Sequence, residues 1–142
     1  ADLILVEGNP LTRIDLLQDK ARTKTLQHPP YSMVSYAWGR KYQQSNQWAL
    51  ETLAMAMEPA TVRSRDQAQA WLQFKGYEPT ALKLGPLTRM GGRVGSANIA
   101  FDDHPNEKRF SDRIETVTVD SVLAWLQRAQ LAAPPVVLAA KN

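Results

Sequence analysis

Between Trp48 and Met57 the chain reads Trp-Ala-Leu-Glu-Thr-Leu-Ala-Met-Ala-Met, so apolar groups cover most of a helix circumference and Glu51 is its one charge. A helix apolar nearly all round belongs inside a core, and this segment is expected to be the central element. The stretch before it, Tyr42-Gln-Gln-Ser-Asn-Gln47, is polar. A helix that starts there presents unpaired N–H groups and a partial positive charge to its surroundings. Upstream, the apolar run Leu3 to Val6 reads as a strand closed by Gly8-Asn9-Pro10, which is turn chemistry. From Pro10 to about Leu26, Leu11, Ile14, Leu17 and Ala21 form one helical stripe. His28-Pro29-Pro30 stops that helix, and Tyr31 to Tyr36 reads as a strand.

Downstream, Pro59 ends the central helix, and Ser64 with Gln67 three residues later has the spacing of a capping box. The helix it opens turns Ala68, Trp71 and Leu72 inward and ends at Gly76, the position of a left-handed cap. Thr80 to Leu84 is a candidate strand. Gly85-Pro86 starts a short helix through Met90, Gly91 to Ser96 is a loop, and Asn98 to Phe101 is a further strand. Ile114 to Val119, β-branched at all but one position, is the clearest strand. Asp120 or Ser121 caps a last helix with Val122, Leu123, Leu126 and Ala129 inside. Residues 132–142 follow as a flexible tail. Helices and strands without strict alternation predict an α+β fold in a single domain, 1–142.

The 142 residues suffice for one core, since a domain of this size buries roughly 70% of its unfolded surface. The absence of cysteine removes disulfides, thiolate metal sites and a cysteine nucleophile together. No apolar run approaches the roughly 18 to 20 residues of a membrane span, and no basic-then-apolar signal pattern opens the chain. The net charge of +3 is uneven: six bases face two acids from Arg63 to Arg93, and six acids face three bases from Asp102 to Asp120. A basic face for an anionic partner is one reading. The bases are dispersed and lack an aromatic platform, which favours a solvated surface over nucleic-acid binding.

Ser45, at the mouth of the central helix, is the sharpest candidate for chemistry. Helix N–H groups stabilise negative charge developing on a carbonyl oxygen, although the plainer reading of Ser45 or Asn46 is a simple N-cap. A serine nucleophile needs a base. His104, in Asp102-Asp103-His104-Pro105, is the candidate, with Asp103 to orient its ring; an exposed loop histidine is the plainer alternative. His28, at a helix end before two prolines, reads as structural. Neither histidine has a partner at metal-ligand spacing, so no metal is expected. Gly91-Gly92-x-x-Gly95 lacks the features of a phosphate loop, and no cofactor is expected. Of the four tryptophans, Trp38 precedes Gly39 near the Ser45 end and could line a cleft with Asn46, Gln47 and Trp48.

Tyr31 to Trp38, Tyr42 to Glu51, Ala68 to Leu72, Gly76 to Thr80, Asn98 to Pro105 and Ile114 to Val122 together resemble an uncharacterised proteobacterial family, domain of unknown function 2145. The likeness runs from about Leu16 to Gln130. That family resembles the circularly permuted branch of NlpC-type, papain-like peptidases, in which a nucleophile begins a buried helix packed on a small antiparallel sheet. The resemblance puts Ser45-Asn-Gln-Trp48 at the nucleophile position, where the superfamily has cysteine. Its catalytic histidine lies on a strand before the nucleophile, and nothing before Ser45 resembles that segment. The implied reading is the C-terminal part of a longer papain-like domain, with an upstream segment of the same precursor as a partner. It would be periplasmic or secreted and catalytically weak or silent, and would bind a peptide or peptidoglycan fragment near Ser45. A serine-based amidase or peptidase using Ser45, His104 and Asp103, and an interaction module with a basic face, are the alternatives. The opening Ala1 to Leu11 also resembles the closing strand and helix of amidohydrolases, but the metal-binding histidines of those enzymes are absent.

Overall fold

Among the described residues are five helices and two two-stranded sheets, with the central helix where the apolar pattern puts it. The computed structural model describes residues 3–5, 20–83, 100, 102–110, 112–134 and 136–138. In chain order these hold β1 (Leu3–Leu5), α1 (Lys20–Thr25), α2 (Ser45–Met57), α3 (Arg65–Phe74), β2 (Thr80–Lys83), α4 (Asn106–Phe110), β3 (Arg113–Thr116), α5 (Val119–Arg128) and β4 (Val136–Leu138). β2 pairs antiparallel with β3, Thr80 opposite Thr116, and β1 pairs antiparallel with β4, Leu3 opposite Leu138. Separate helices and antiparallel strands make the fold α+β. Most of the expected helix from Pro10, the Gly85 to Met90 helix and the Gly91 to Ser96 loop lie outside the described residues, as does all of the Asn98 to Phe101 strand except Ala100.

α2 packs against α3. Leu50, Ala54, Met55 and Ala56 of α2 meet Ala68 and Leu72 of α3 in one core with Leu26, Ala37, Val62, Tyr77, Val117 and Trp125. The expectation of a helix apolar all round is corrected at two places. Ala49 faces solvent, and the single charge, Glu51, is 1% exposed. Glu51 is buried because Arg65, at the start of α3, meets it with Nε 2.8 Å and Nη2 2.9 Å from its carboxylate oxygens. A buried charge requires such a partner.

The ends of α3 follow their sequence signals. The Ser64 hydroxyl accepts from the Gln67 amide at 3.3 Å, while the Gln67 side chain accepts from Arg63 N instead of closing a reciprocal box. Gly76 has φ +79°, Tyr77 N donates to Leu72 O and Gly76 N to Gln73 O, the paired bonds of a Schellman ending. α5 ends in the same pattern, with Leu131 N on Leu126 O and Gln130 N on Gln127 O, but its left-handed residue is Gln130, φ 56°. A side chain in that region costs roughly 1–2 kcal/mol, and glycine's extra freedom in the unfolded chain returns about half of this. Gln130→Gly is therefore expected to stabilise the fold by about 0.5 kcal/mol, read as a higher urea midpoint at unchanged slope. A lower midpoint would show that Gln130 contributes contacts worth more than its strain.

Four expectations are corrected. Tyr31 to Tyr36 is not a strand: Ser35 N turns back onto Ser32 O, and only Tyr36 bridges the sheet, opposite Thr116. Serine hydroxyls divert this segment, the Ser32 hydroxyl bonding the Ala100 main chain and the Ser35 hydroxyl Gln47 Oε1. The Ile114 strand stops at Thr116, because Thr118 is the cap of α5 in a reciprocal box with Ser121, so neither Asp120 nor Ser121 is the N-cap. The short helix α4 lies in the polar stretch after His104, where none was expected. β4 lies within the expected tail, 132–142.

Candidate functional site

Two glutamines at the entry to α2 build the site. Gln43 accepts from His28 N through Oε1 (2.8 Å) and donates through Nε2 to Leu26 O (2.9 Å), which fastens the end of the first helical segment to the start of α2. Gln44 reaches the opposite way and donates to the Thr116 hydroxyl and to Val117 O. Between these attachments opens a cavity of about 310 Å³ lined by Gln27, His28, Pro29, Tyr31, Gln43, Gln44, Ser45 and Trp48. Gln44 is the N-cap residue of α2, yet its side chain makes no capping bond. Neither Ser45 nor Asn46 is the cap, since Ser45 is already the first helical residue. The first-turn N–H groups of α2 thus have no capping side chain, and Ser45 stands exposed beside them.

The expected site residues separate into two places. Trp48 lines the cavity and donates its indole N–H to Thr23 O at 3.1 Å. Asn46 makes a long contact of 3.4 Å to Gln44 Oε1. Gln47 is turned inward, accepting from the Ser35 hydroxyl and donating to Tyr36 O and Ala37 O. Trp38 packs edge-on against Tyr77, ring centres 5.8 Å apart, and is part of the core and not of the cavity wall.

Asp103 and His104 are brought together away from Ser45. His104 is 3% exposed, so it is no exposed loop histidine, and its Nε2 lies 2.6 Å from Val34 O. A carbonyl only accepts, so this nitrogen carries a proton. Asp103 Oδ1 lies 3.6 Å from the same nitrogen, too far for a hydrogen bond, while Oδ2 accepts from Tyr36 N at 2.7 Å. Burial pushes the Asp103 carboxyl above its ordinary range, against the pull of the Tyr36 N–H. The His104 ring packs on Tyr36, centres 5.3 Å apart, and His104 does not line the Ser45 cavity. The pair staples the 102–105 turn to the segment before α2. Asp102 adds an ion pair to Lys41, which holds its carboxyl below the usual range.

The histidine in the Ser45 cavity is His28. Its ring Nε2 bonds Lys41 O at 2.9 Å. Sequence spacing could not reveal this, because the contact spans 13 residues and a proline pair that reads as a helix stop. The basic stretch also changes character: Arg65 is committed to Glu51, and Asp66 pairs with Arg40. Arg89 and Arg93 lie outside the described residues. Among the described residues no cluster of His, Asp and Glu could hold a metal ion, and no helix is long and apolar enough to cross a membrane.

Comparison with known proteins gives a family match. A family model described as an uncharacterized protein conserved in bacteria (DUF2145) covers residues 8–126. No curated protein and no solved structure matches the chain.

Proposed function

The chain belongs to the bacterial family DUF2145, and we propose that this member is a papain-like domain of the cell envelope that binds a peptide or cell-wall fragment at the Ser45 cavity without cleaving it. The observation that carries the reading is the cavity itself, open at the uncapped start of α2 beside an exposed serine. First-turn N–H groups suit a carbonyl or carboxylate oxygen, and Trp48, Tyr31 and Pro29 supply apolar walls for the adjoining atoms of a peptide. Silence follows from the chemistry of the nucleophile. A hydroxyl stands where papain-like enzymes have a thiol, and a serine without an engaged base is almost wholly protonated. The Asp103–His104 pair does not line the cavity and so offers Ser45 no base there. The papain-like assignment and the periplasmic or secreted placement rest on the sequence resemblance.

A second reading, a serine hydrolase, is favoured by one observation, that His28 lines the same cavity as Ser45. Calorimetric titration with soluble muropeptides, run beside labelling by a fluorophosphonate, separates the two. Binding is expected to the wild type, to survive Ser45→Ala, and to weaken by about tenfold or more in Ser45→Trp, which fills the mouth of the cavity. Covalent labelling at Ser45, or turnover of the muropeptide, would establish the hydrolase instead. Absence of binding to any fragment would remove the ligand reading.

A further inference from the structure

Four successive carbonyls before α2, those of Gly39, Arg40, Lys41 and Tyr42, are each met by side chains from elsewhere in the chain. Arg65 Nη1 donates to Arg40 O at 3.0 Å, and Nη2 donates to Gly39 O and Tyr42 O, both at 3.2 Å. Lys41 O, the one that Arg65 leaves, meets His28 Nε2 at 2.9 Å. Gln69 Nε2 reinforces the first side, donating to Gly39 O at 2.8 Å. Arg65 is itself held by Glu51, so a buried ion pair ends in the direction of one carbonyl. That carbonyl can only accept, so Nε2 of His28 carries the proton, and in the neutral ring Nδ1 holds the lone pair. His28 makes its described bonds through its amide and Nε2, which leaves Nδ1 to a ligand.

We propose that Arg65 is a positioning residue for the Ser45 cavity: by gathering the carbonyls of Gly39, Arg40 and Tyr42 it aims that of Lys41 at His28 and fixes Nδ1 as a hydrogen-bond acceptor for a ligand N–H. The proposal rests on the reading of this cavity as a ligand site for its second half only. Its first half concerns the protein alone. The guanidinium is needed for its fork, since three carbonyls and one carboxylate are met by one rigid plane, which an ammonium does not reproduce.

The test is the pair of ring-nitrogen chemical shifts of His28 in ¹⁵N-labelled, ligand-free protein, at a pH where the ring carries one proton. Wild type is expected to show Nε2–H almost alone. Arg65→Lys should lower the ratio of Nε2–H to Nδ1–H by roughly fivefold, the worth of one net hydrogen bond, while the His104 shifts stay in place. Asp66→Asn, on the neighbouring residue of α3, should move neither. Should Arg65→Lys not fold, Glu51→Gln must shift His28 the same way by loosening the guanidinium. An unmoved His28 ratio in a folded variant, or an Nδ1–H ring in wild type, overturns the positioning role. For the second half, N-acetyl-alanyl-alanine and its N-methylated amide are titrated into wild type. Weaker binding of the methylated probe is expected, and equal binding overturns the acceptor role. If neither probe binds, the acceptor role falls together with the cavity reading, while the tautomer result is unaffected.

Discussion

Arg65→Ala is expected to destabilise the protein by about 3–5 kcal/mol near neutral pH, a large part of the 5–15 kcal/mol that typically holds a domain folded. Glu51 is 1% exposed in the middle of α2, and among the described residues Arg65 carries its countercharge. Burial already raises the Glu51 carboxyl above its ordinary 4.5, with Arg65 pulling the other way. A carboxyl with a raised folded-state pKa favours folding when protonated. That contribution is fully present below 4.5 and is lost as pH climbs through the folded value. Without Arg65 the opposing pull is gone and the loss becomes larger. The gap between variant and wild type in urea unfolding should therefore be widest near pH 7 and narrow toward about pH 4. A gap that does not change with pH would mean that the lost packing and carbonyl bonds, not the stranded carboxylate, set the cost. A gap under about 1 kcal/mol at neutral pH would place the pair among weak surface bridges.

Trp125→Ala comes next, with an expected loss of about 3–5 kcal/mol. Trp125 is 1% exposed and joins α5 to α3 through edge-on contacts with Trp71 and Tyr77, both with centres 6.1 Å apart. Its indole N–H donates to Lys75 O at 2.9 Å, one of the carbonyls at the end of α3. Tyr77 in turn bonds the Ser121 hydroxyl, and burial pushes its own hydroxyl up to about 12. Removing the indole thus opens a cavity and loosens the closure of two helices at once. Trp125→Phe keeps most of the volume and loses the bond, so it should cost about 1–2 kcal/mol. Denaturant titration followed by near-ultraviolet circular dichroism orders the two variants. Equal losses would mean that the hydrogen bond, and not packing, dominates at this position.

The sequence made the helix ends of α3 legible because caps are local: Ser64 and Gly76 each act on residues within one turn. The central position of α2 was legible for the same reason, since a helical period needs only its own residues. Glu51 broke that pattern, and its partner fourteen positions on could not be read from spacing. Tyr31 to Tyr36 misled because its alternation suits a strand, while Ser32 and Ser35 found partners at Ala100 and Gln47, far along the chain. Thr118 was hidden inside a β-branched run in which threonine reads as strand residue and helix cap alike. At the site, Ser45 and Trp48 were legible as the entry of a buried helix. His28 was not, because its role depends on where Lys41 points its carbonyl. His104 and Asp103 were legible as a pair, and only their burial showed that the pair fastens a turn.

The glutamines around α2 have a consequence for how this protein meets a changing medium. Gln43, Gln44, Gln47 and Gln69 join segments that are distant along the chain, each donating to main-chain oxygens elsewhere. An amide has both a donor and an acceptor but no charge and no titration in the biological range. Links of this kind are not screened by salt and do not loosen with acidity, unlike exposed ion pairs. The frame around the cavity is therefore insulated from changes in ionic strength and acidity.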